Sequence, residues 1–235
     1  MTGIPAGSGP AVSAPAQQTF YAMYSVFKVT SPLPTAPQRA QHVGALEASL
    51  ASLGGLHIRG WYHLSGLRAD ADVMVWWWAT EVETLQDAYH RVRSSEIGAS
   101  LSPVWSAVGV HRQAEFNAAH VPAFMAEREP LGYLCVYPFD RSYDWYVLPE
   151  AERRTMLAEH GRAAQAFPGV QANTIAAFGL GDYEWLLGLE SDELVNVVDL
   201  IRHLRATGAR LHVRNEIPFF TGPRMPATEL FDALG

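Results

Sequence analysis

The chain has 235 residues, enough for one large domain or two small ones around a substantial core. Only 17% of them are charged, and 7 Trp, 9 Tyr and 10 Phe accompany them, which rules out disorder throughout and suggests that a subunit partner or a flat ligand covers part of the apolar material. A formal charge of −7 without any Lys/Arg run argues against nucleic acid, and the longest aliphatic and aromatic stretch, Val73 to Ala79, is far short of the roughly 20 residues a membrane span needs.

The single Cys135 allows no internal disulfide and no Cys-rich metal site, so a reducing compartment, the cytoplasm, is expected. No positive charge precedes Lys28, and neither a secretory signal nor a transit peptide is expected.

Residues 1–17 are rich in Gly, Pro and Ala, carry no charge, and read as a disordered leader. FYAMYSVFKVT (20–30) reads as a strand, followed by a helix over 37–53 that ends at Gly54 and Gly55. Strands are expected at 57–66 and 72–80. Thr80 and Glu83 form a capping-box pattern for a helix to Ser95 whose apolar face carries Leu85, Ala88, Tyr89 and Val92, and a strand follows at 103–116. The run Trp76-Trp77-Trp78 cannot face one way on a strand, so it should fill two packing layers.

The second half repeats the order. A strand at 131–139 precedes a helix from Pro149 to Phe167, then strands at about 171–179 and 184–190, a helix from Ser191 to Arg205 and a strand at about 211–220. An offset of 109 residues carries Leu85, Ala88, Tyr89, Val92 and Arg93 onto Leu194, Val197, Val198, Ile201 and Arg202. The expected fold class is therefore α+β, with two tandem ferredoxin-like units at 18–116 and 130–235 joined by a connector at 117–129, the pair forming a dimeric α+β barrel-type subunit. Each sheet keeps an apolar face free of helices, so the two sheets should pack together or close into a barrel.

Walker, HExxH, GxSxG and dinucleotide-binding patterns are missing. His160 shares a helix face with Met156, Ala163, Ala164 and Phe167. That spacing suits a core histidine bonded to a carbonyl; it equally suits an axial iron ligand, because the small neighbours Gly161 and Ala163 leave room for a porphyrin. Tyr133, Cys135, Tyr137 and Phe139 alternate onto one sheet face. Arg141, Tyr143, Trp145 and Tyr146 follow, a guanidinium among rings that suits a carboxylate-bearing substrate. His57, His63, His90 and His111 belong to no ligand constellation.

YPFDRSYDWYVLP (137–149), AEHGRAAQAFPGV (158–170) and EIPFFTG (216–222) together resemble the actinobacterial coproheme decarboxylases of the chlorite-dismutase-like superfamily, over about residues 19–235. The resemblance implies that Fe-coproporphyrin III (coproheme) binds in the C-terminal half as both substrate and cofactor. Hydrogen peroxide then converts its propionates 2 and 4 to vinyl groups, releasing carbon dioxide and leaving haem b. It matches His160 to the iron ligand and Tyr137 to the tyrosine whose radical abstracts a hydrogen atom from the propionate. His120, in the connector, matches a distal base for peroxide. Without the resemblance, His120 reads as a solvated loop residue. Arg141 matches a propionate-binding residue, and Trp145 either a catalytic neighbour of the second propionate or packing. A homopentamer is also implied.

Three other functions share parts of this pattern. A chlorite-decomposing enzyme would carry an arginine on the strand after the ligand helix, where this chain reads QANTIAAFG and has no Arg between Arg162 and Arg202. A haem carrier or sensor would not need Tyr137. A cofactor-free monooxygenase on a similar barrel would bind no porphyrin. If His160 ligates iron, a carboxylate is expected on its far nitrogen, with Glu184 and Glu190 as candidates.

Overall fold

The computed structural model describes residues 19–111, 122–126 and 128–235. The 1–17 leader and His120 lie outside them. Strand β1 (Tyr21–Val29) leads through helix α1 (Ala36–Ala51) to β2 (His57–His63) and β3 (Val73–Ala79), then α2 (Val82–Ser94) and β4 (Leu101–Val110). The second half runs β5 (Tyr133–Arg141), α3 (Glu150–Ala164), β6 (Gln171–Ala176), β7 (Trp185–Ser191), α4 (Leu194–Leu204), β8 (Val213–Asn215), β9 (Phe220–Met225) and α5 (Ala227–Leu234).

The strands pair antiparallel in the order β7-β6-β4-β1-β3-β2-β9-β5, and β5 pairs back onto β7, so the ring closes; β8 hangs from the end of β5. Closure leaves no long edge in the ring and gives every strand an inner and an outer face. The two seams between the halves are short: Val110 pairs with Ala176 on one side, and Trp61 and Tyr62 pair with Met225 and Arg224 on the other.

Three apolar layers result. The inner one joins Tyr24, Tyr62, Met74 and Trp76 of the first half to Leu134, Val136, Ile175 and Leu186 of the second. Outside the first-half strands, Phe27, Val75 and Trp77 pack against α1, α2 and α5. Outside the second-half strands, Cys135, Tyr137 and Leu189 meet Val197 and Leu200 of α4. The tryptophan run divides between layers as its alternation requires, Trp77 outward and Trp76 inward, with Trp78 packed on the inner cluster.

Some expectations are corrected. Thr80 does not cap α2: β3 pairs as far as Ala79, the chain turns through Thr80, and Glu81 is the N-cap without a side-chain cap bond. The offset comparison holds for Leu85/Leu194 and Ala88/Val197, but Val198 is exposed where Tyr89 is half-buried. The strand expected at 211–220 is instead a 3-10 turn at Gly208–His212, the short β8, and a separate β9 that begins at Phe220. Helix α5 was not expected. Its residues Ala227, Leu230 and Phe231 are buried at helical spacing, and Phe231 meets Trp61 edge-on at 6.1 Å.

One ion pair lies inside the ring. Arg59 donates Nε and Nη2 to the two oxygens of Glu190, at 3.2 and 2.9 Å, and Asn173 Nδ2 donates to the same carboxylate at 3.2 Å. Glu190 is fully buried. The Arg59 Nη1 also donates to the Arg128 carbonyl, and Asn173 Oδ1 accepts the Phe124 amide at 3.0 Å, so the pair ties the end of the connector to both halves. Glu190→Ala would leave a buried guanidinium without its counter-charge. It should cost about 3–5 kcal/mol of unfolding free energy, measured by denaturant titration.

Candidate active site

The site lies on the outer face of the second-half strands. Register sets Tyr137 beside Leu187 and Leu187 beside Thr174, with Cys135, Leu189 and Ala172 in the next row. Helix α4 closes over part of this floor by burying Val197 and Leu200. Helix α3 behaves differently from α1, α2 and α4, because none of its residues is fully buried. Its face of Met156, His160, Ala163 and Ala164 is half-buried, and so are Leu187 and Thr174 of the floor. The predicted face of α3 is correct, but it forms a wall standing off the sheet rather than part of a closed core.

His160 points one nitrogen at a defined partner. Its Nδ1 lies 3.1 Å from Thr207 Oγ1, and that hydroxyl donates to the Leu204 carbonyl at 2.8 Å. With its only proton committed, Thr207 accepts from His160, so Nδ1 carries the hydrogen and Nε2 keeps its lone pair. Burial lowers the His160 pKa below its ordinary value; the Arg141 guanidinium lowers it further, and Glu159 opposes the shift. A neutral imidazole with a bare Nε2 is the form that binds iron.

Neither expected carboxylate is the partner. Glu190 is committed to Arg59 inside the ring, across the sheet from this face. Glu184 accepts from the Arg141 amide at 2.8 Å and from the Tyr146 hydroxyl at 3.0 Å, fixing the loop after β5.

Tyr137 is 7% exposed and stacks on Phe219 at 4.3 Å between ring centroids. Burial pushes its pKa well up, assisted by Cys135 and Glu216 and opposed by Arg205 and Arg210. The phenol therefore keeps its proton. Glu216 accepts from both Arg205 and Arg210, gathering their charges beside Tyr137.

Arg141 ends β5 on the same side, about 13 Å along the strand from Tyr137. Its guanidinium lies 4.2 Å from the Trp145 ring centroid and 5.3 Å from that of Phe139. Trp145 is 2% exposed and lies 5.4 Å from the His212 ring, so it is a packed residue that also supports Arg141. The structure thus gathers Tyr137, Arg141, Trp145 and His160 around one face; His120 falls outside the described residues.

Sequence reasoning missed Thr207, Phe219, Arg205, Arg210 and Glu216. Phe219 and Glu216 lie in the EIPFFTG segment, but nothing in their spacing ties them to Tyr137. Thr207 lies 47 residues from His160, beyond the reach of any periodicity.

Among the described residues no group of three or more His, Cys, Asp and Glu could hold a bare metal ion. One imidazole suffices for an iron already held by a porphyrin, so this donor set fits a metalloporphyrin substrate.

A wall bearing a single lone-pair imidazole over a half-buried sheet floor matches a known class. Residues 39–225 match the model of the chlorite dismutase family, and the chain belongs to that family. Within curated proteins, coproheme decarboxylase of Mycolicibacterium smegmatis is 51% identical over 217 residues, covering 91% of this chain and 94% of the relative. Chlorite dismutase from Candidatus Nitrospira defluvii in complex with imidazole has a TM-score of 0.81 at 21% identity, over 91% of this chain and 94% of that one. A variant of the same enzyme aligns equally well, also at 21% identity. At that identity the likeness is one of fold.

In porphyrin-free protein, the NMR titration midpoint of His160 should lie below the ordinary imidazole value of about 6.5. Arg141→Ala should raise it and Glu159→Gln should lower it. Because the folded protein protonates His160 less readily than the unfolded chain, its contribution to stability is present above the unfolded pKa and is lost as pH falls through the folded one.

Proposed function

We propose that this chain carries out the peroxide-dependent oxidative decarboxylation of coproheme, converting propionates 2 and 4 to vinyl groups and yielding haem b, the last step of coproporphyrin-dependent haem biosynthesis. The observation that carries the reading is the pairing of His160, with its bare Nε2, and the protonated Tyr137 phenol across one half-buried face. The 51% identity to a coproheme decarboxylase supports it.

Each turnover consumes one hydrogen peroxide and one propionic acid side chain and gives a vinyl group, one carbon dioxide and two waters. When bound, the ferric porphyrin with peroxide supplies the two-electron oxidant. The protein's residues have separate tasks. His160 would hold the iron through Nε2. Tyr137 keeps its proton because of burial, so it must lose proton and electron together, which makes it a hydrogen-atom relay to the propionate. Its stack on Phe219 holds the ring in one plane, which positions the phenol oxygen. Arg141, itself held over Trp145, would pair with a propionate carboxylate. Trp145 would support Arg141 near the second propionate, and His120 would accept the proton from peroxide.

Two observations weigh against the neighbouring chemistries. Strand β6, which follows the His160 helix, carries no arginine, unlike the chlorite-decomposing relatives described above. A buried reactive phenol is superfluous in a protein that only carries haem. We also propose a homopentamer in the cytoplasm. The support is the family resemblance for the oligomer and the single Cys135, which suits a reducing compartment; no helix among the described residues is long and apolar enough to cross a membrane.

Protein mixed with ferric coproporphyrin III and titrated with peroxide should yield first a monovinyl and then the divinyl product by mass spectrometry. Tyr137→Phe should bind the porphyrin but lower product formation by at least about 100-fold, within the usual range for losing a proton-transfer group. Unchanged product in that variant, or rapid oxygen release from chlorite by wild type, would overturn the reading. Light scattering should give a mass near five times 25.8 kDa; a monomer would remove the oligomer assignment.

A further inference from the structure

We propose that Thr207 is the positioning residue for His160, and that its hydroxyl, in place of a carboxylate, fixes the imidazole in its Nδ1–H tautomer and limits what Nε2 donates to iron. This rests on the reading of His160 as the iron ligand and goes beyond it by assigning the residue that sets the ligand's orientation and donor strength.

The geometry is over-determined. Thr207 lies just past the end of α4 and is 8% exposed. Both its amide and its hydroxyl donate to the Leu204 carbonyl, at 3.2 and 2.8 Å. The hydroxyl therefore cannot rotate to donate to the imidazole without giving up that bond, and it presents a lone pair to Nδ1 at 3.1 Å. One residue on, the Gly208 amide donates to Glu159 Oε2 at 3.1 Å. A Cβ at Gly208 would lie 3.2 Å from that oxygen and 3.6 Å from Met156 Cγ, so α3 and this turn approach closely. Two adjacent contacts, Glu159 to Gly208 and His160 to Thr207, fix both the rotation and the height of α3 where His160 leaves it.

The acceptor's chemistry has an electronic consequence. A carboxylate on Nδ1–H draws the proton away from the ring and makes the opposite nitrogen a stronger donor. A hydroxyl already polarised toward Leu204 is a neutral acceptor and draws much less. The ligand thus remains an oriented imidazole with little imidazolate character.

The test loads wild type, Thr207→Val, Thr207→Ser, Thr207→Asp and His160→Ala with haem b, and reads the ferrous iron–imidazole stretch by resonance Raman and porphyrin affinity by Soret titration. Thr207→Val should shift the stretch to lower wavenumber and weaken binding about 10-fold or more, as losing an outer-shell partner does. Thr207→Ser should restore both, and Thr207→Asp should move the stretch above wild type. A wild-type stretch in Thr207→Val, with the stretch lost in His160→Ala, would overturn the role of Thr207 while leaving His160 as the ligand. A wild-type stretch in His160→Ala would instead overturn the ligand reading. A shift caused only by loosened packing would persist in Thr207→Ser, and that result would also overturn the proposal.

Discussion

Strand β5 must pair with β9 along one edge and with β7 along the other, and that double pairing closes the ring on which the other layers depend. Once the ring is closed, successive β5 side chains divide between its interior and its outer face. Leu134 and Val136 go inward and meet tyrosines and tryptophans of the first half, which makes up for the short seams. Cys135 and Tyr137 go outward, to the face that α3 and α4 cover. A one-residue slip of β5 would exchange the two sets and place the phenol inside the ring, remote from His160.

The two outer faces use similar helices for different ends. On the first half, α1, α2 and the added α5 bury a continuous apolar layer against Phe27, Val75 and Trp77. On the second, only α4 sinks residues into the sheet, and α3 keeps its whole inner face half-buried. The turn at Thr207 and Gly208 holds α3 in that stance through hydrogen bonds, beside the apolar contact that Ala164 makes with the second-half layer. The half that carries the chemistry therefore owes less of its outer layer to hydrophobic burial, and a larger share to directed polar contacts.

Much of the fold was legible from local pattern. Alternation placed the β5 residues and split the three tryptophans, and helical spacing placed His160 with Met156 and Ala163. Where the reading failed, a contact from a distant part of the chain overrode a local signal. The Thr80 capping pattern yielded to the length of β3, set by its pairing with β1 and β2. The stretch after Gly208, expected to be one strand, broke into a turn and two strands because β9 is recruited by β2 and β5. Helix α5 did carry a signal, Ala227, Leu230 and Phe231 after Pro226, short enough to pass as a tail.

The candidate site divides in the same way. The residue types and their local order, a histidine among small residues on a helix, a phenol on an alternating strand and an arginine among rings, were present in the chain itself. The partners that orient those groups, or that withdraw a charge from them, were not. Thr207 reaches His160 across 47 residues, and Glu190 is taken from the site by Arg59 across 131. Sequence periodicity reports which face of an element is apolar, because that depends on neighbours within a few residues. Hydrogen-bond partners, tautomers and buried charges depend on which elements meet in space, and only the closed ring with its two helical layers decided that.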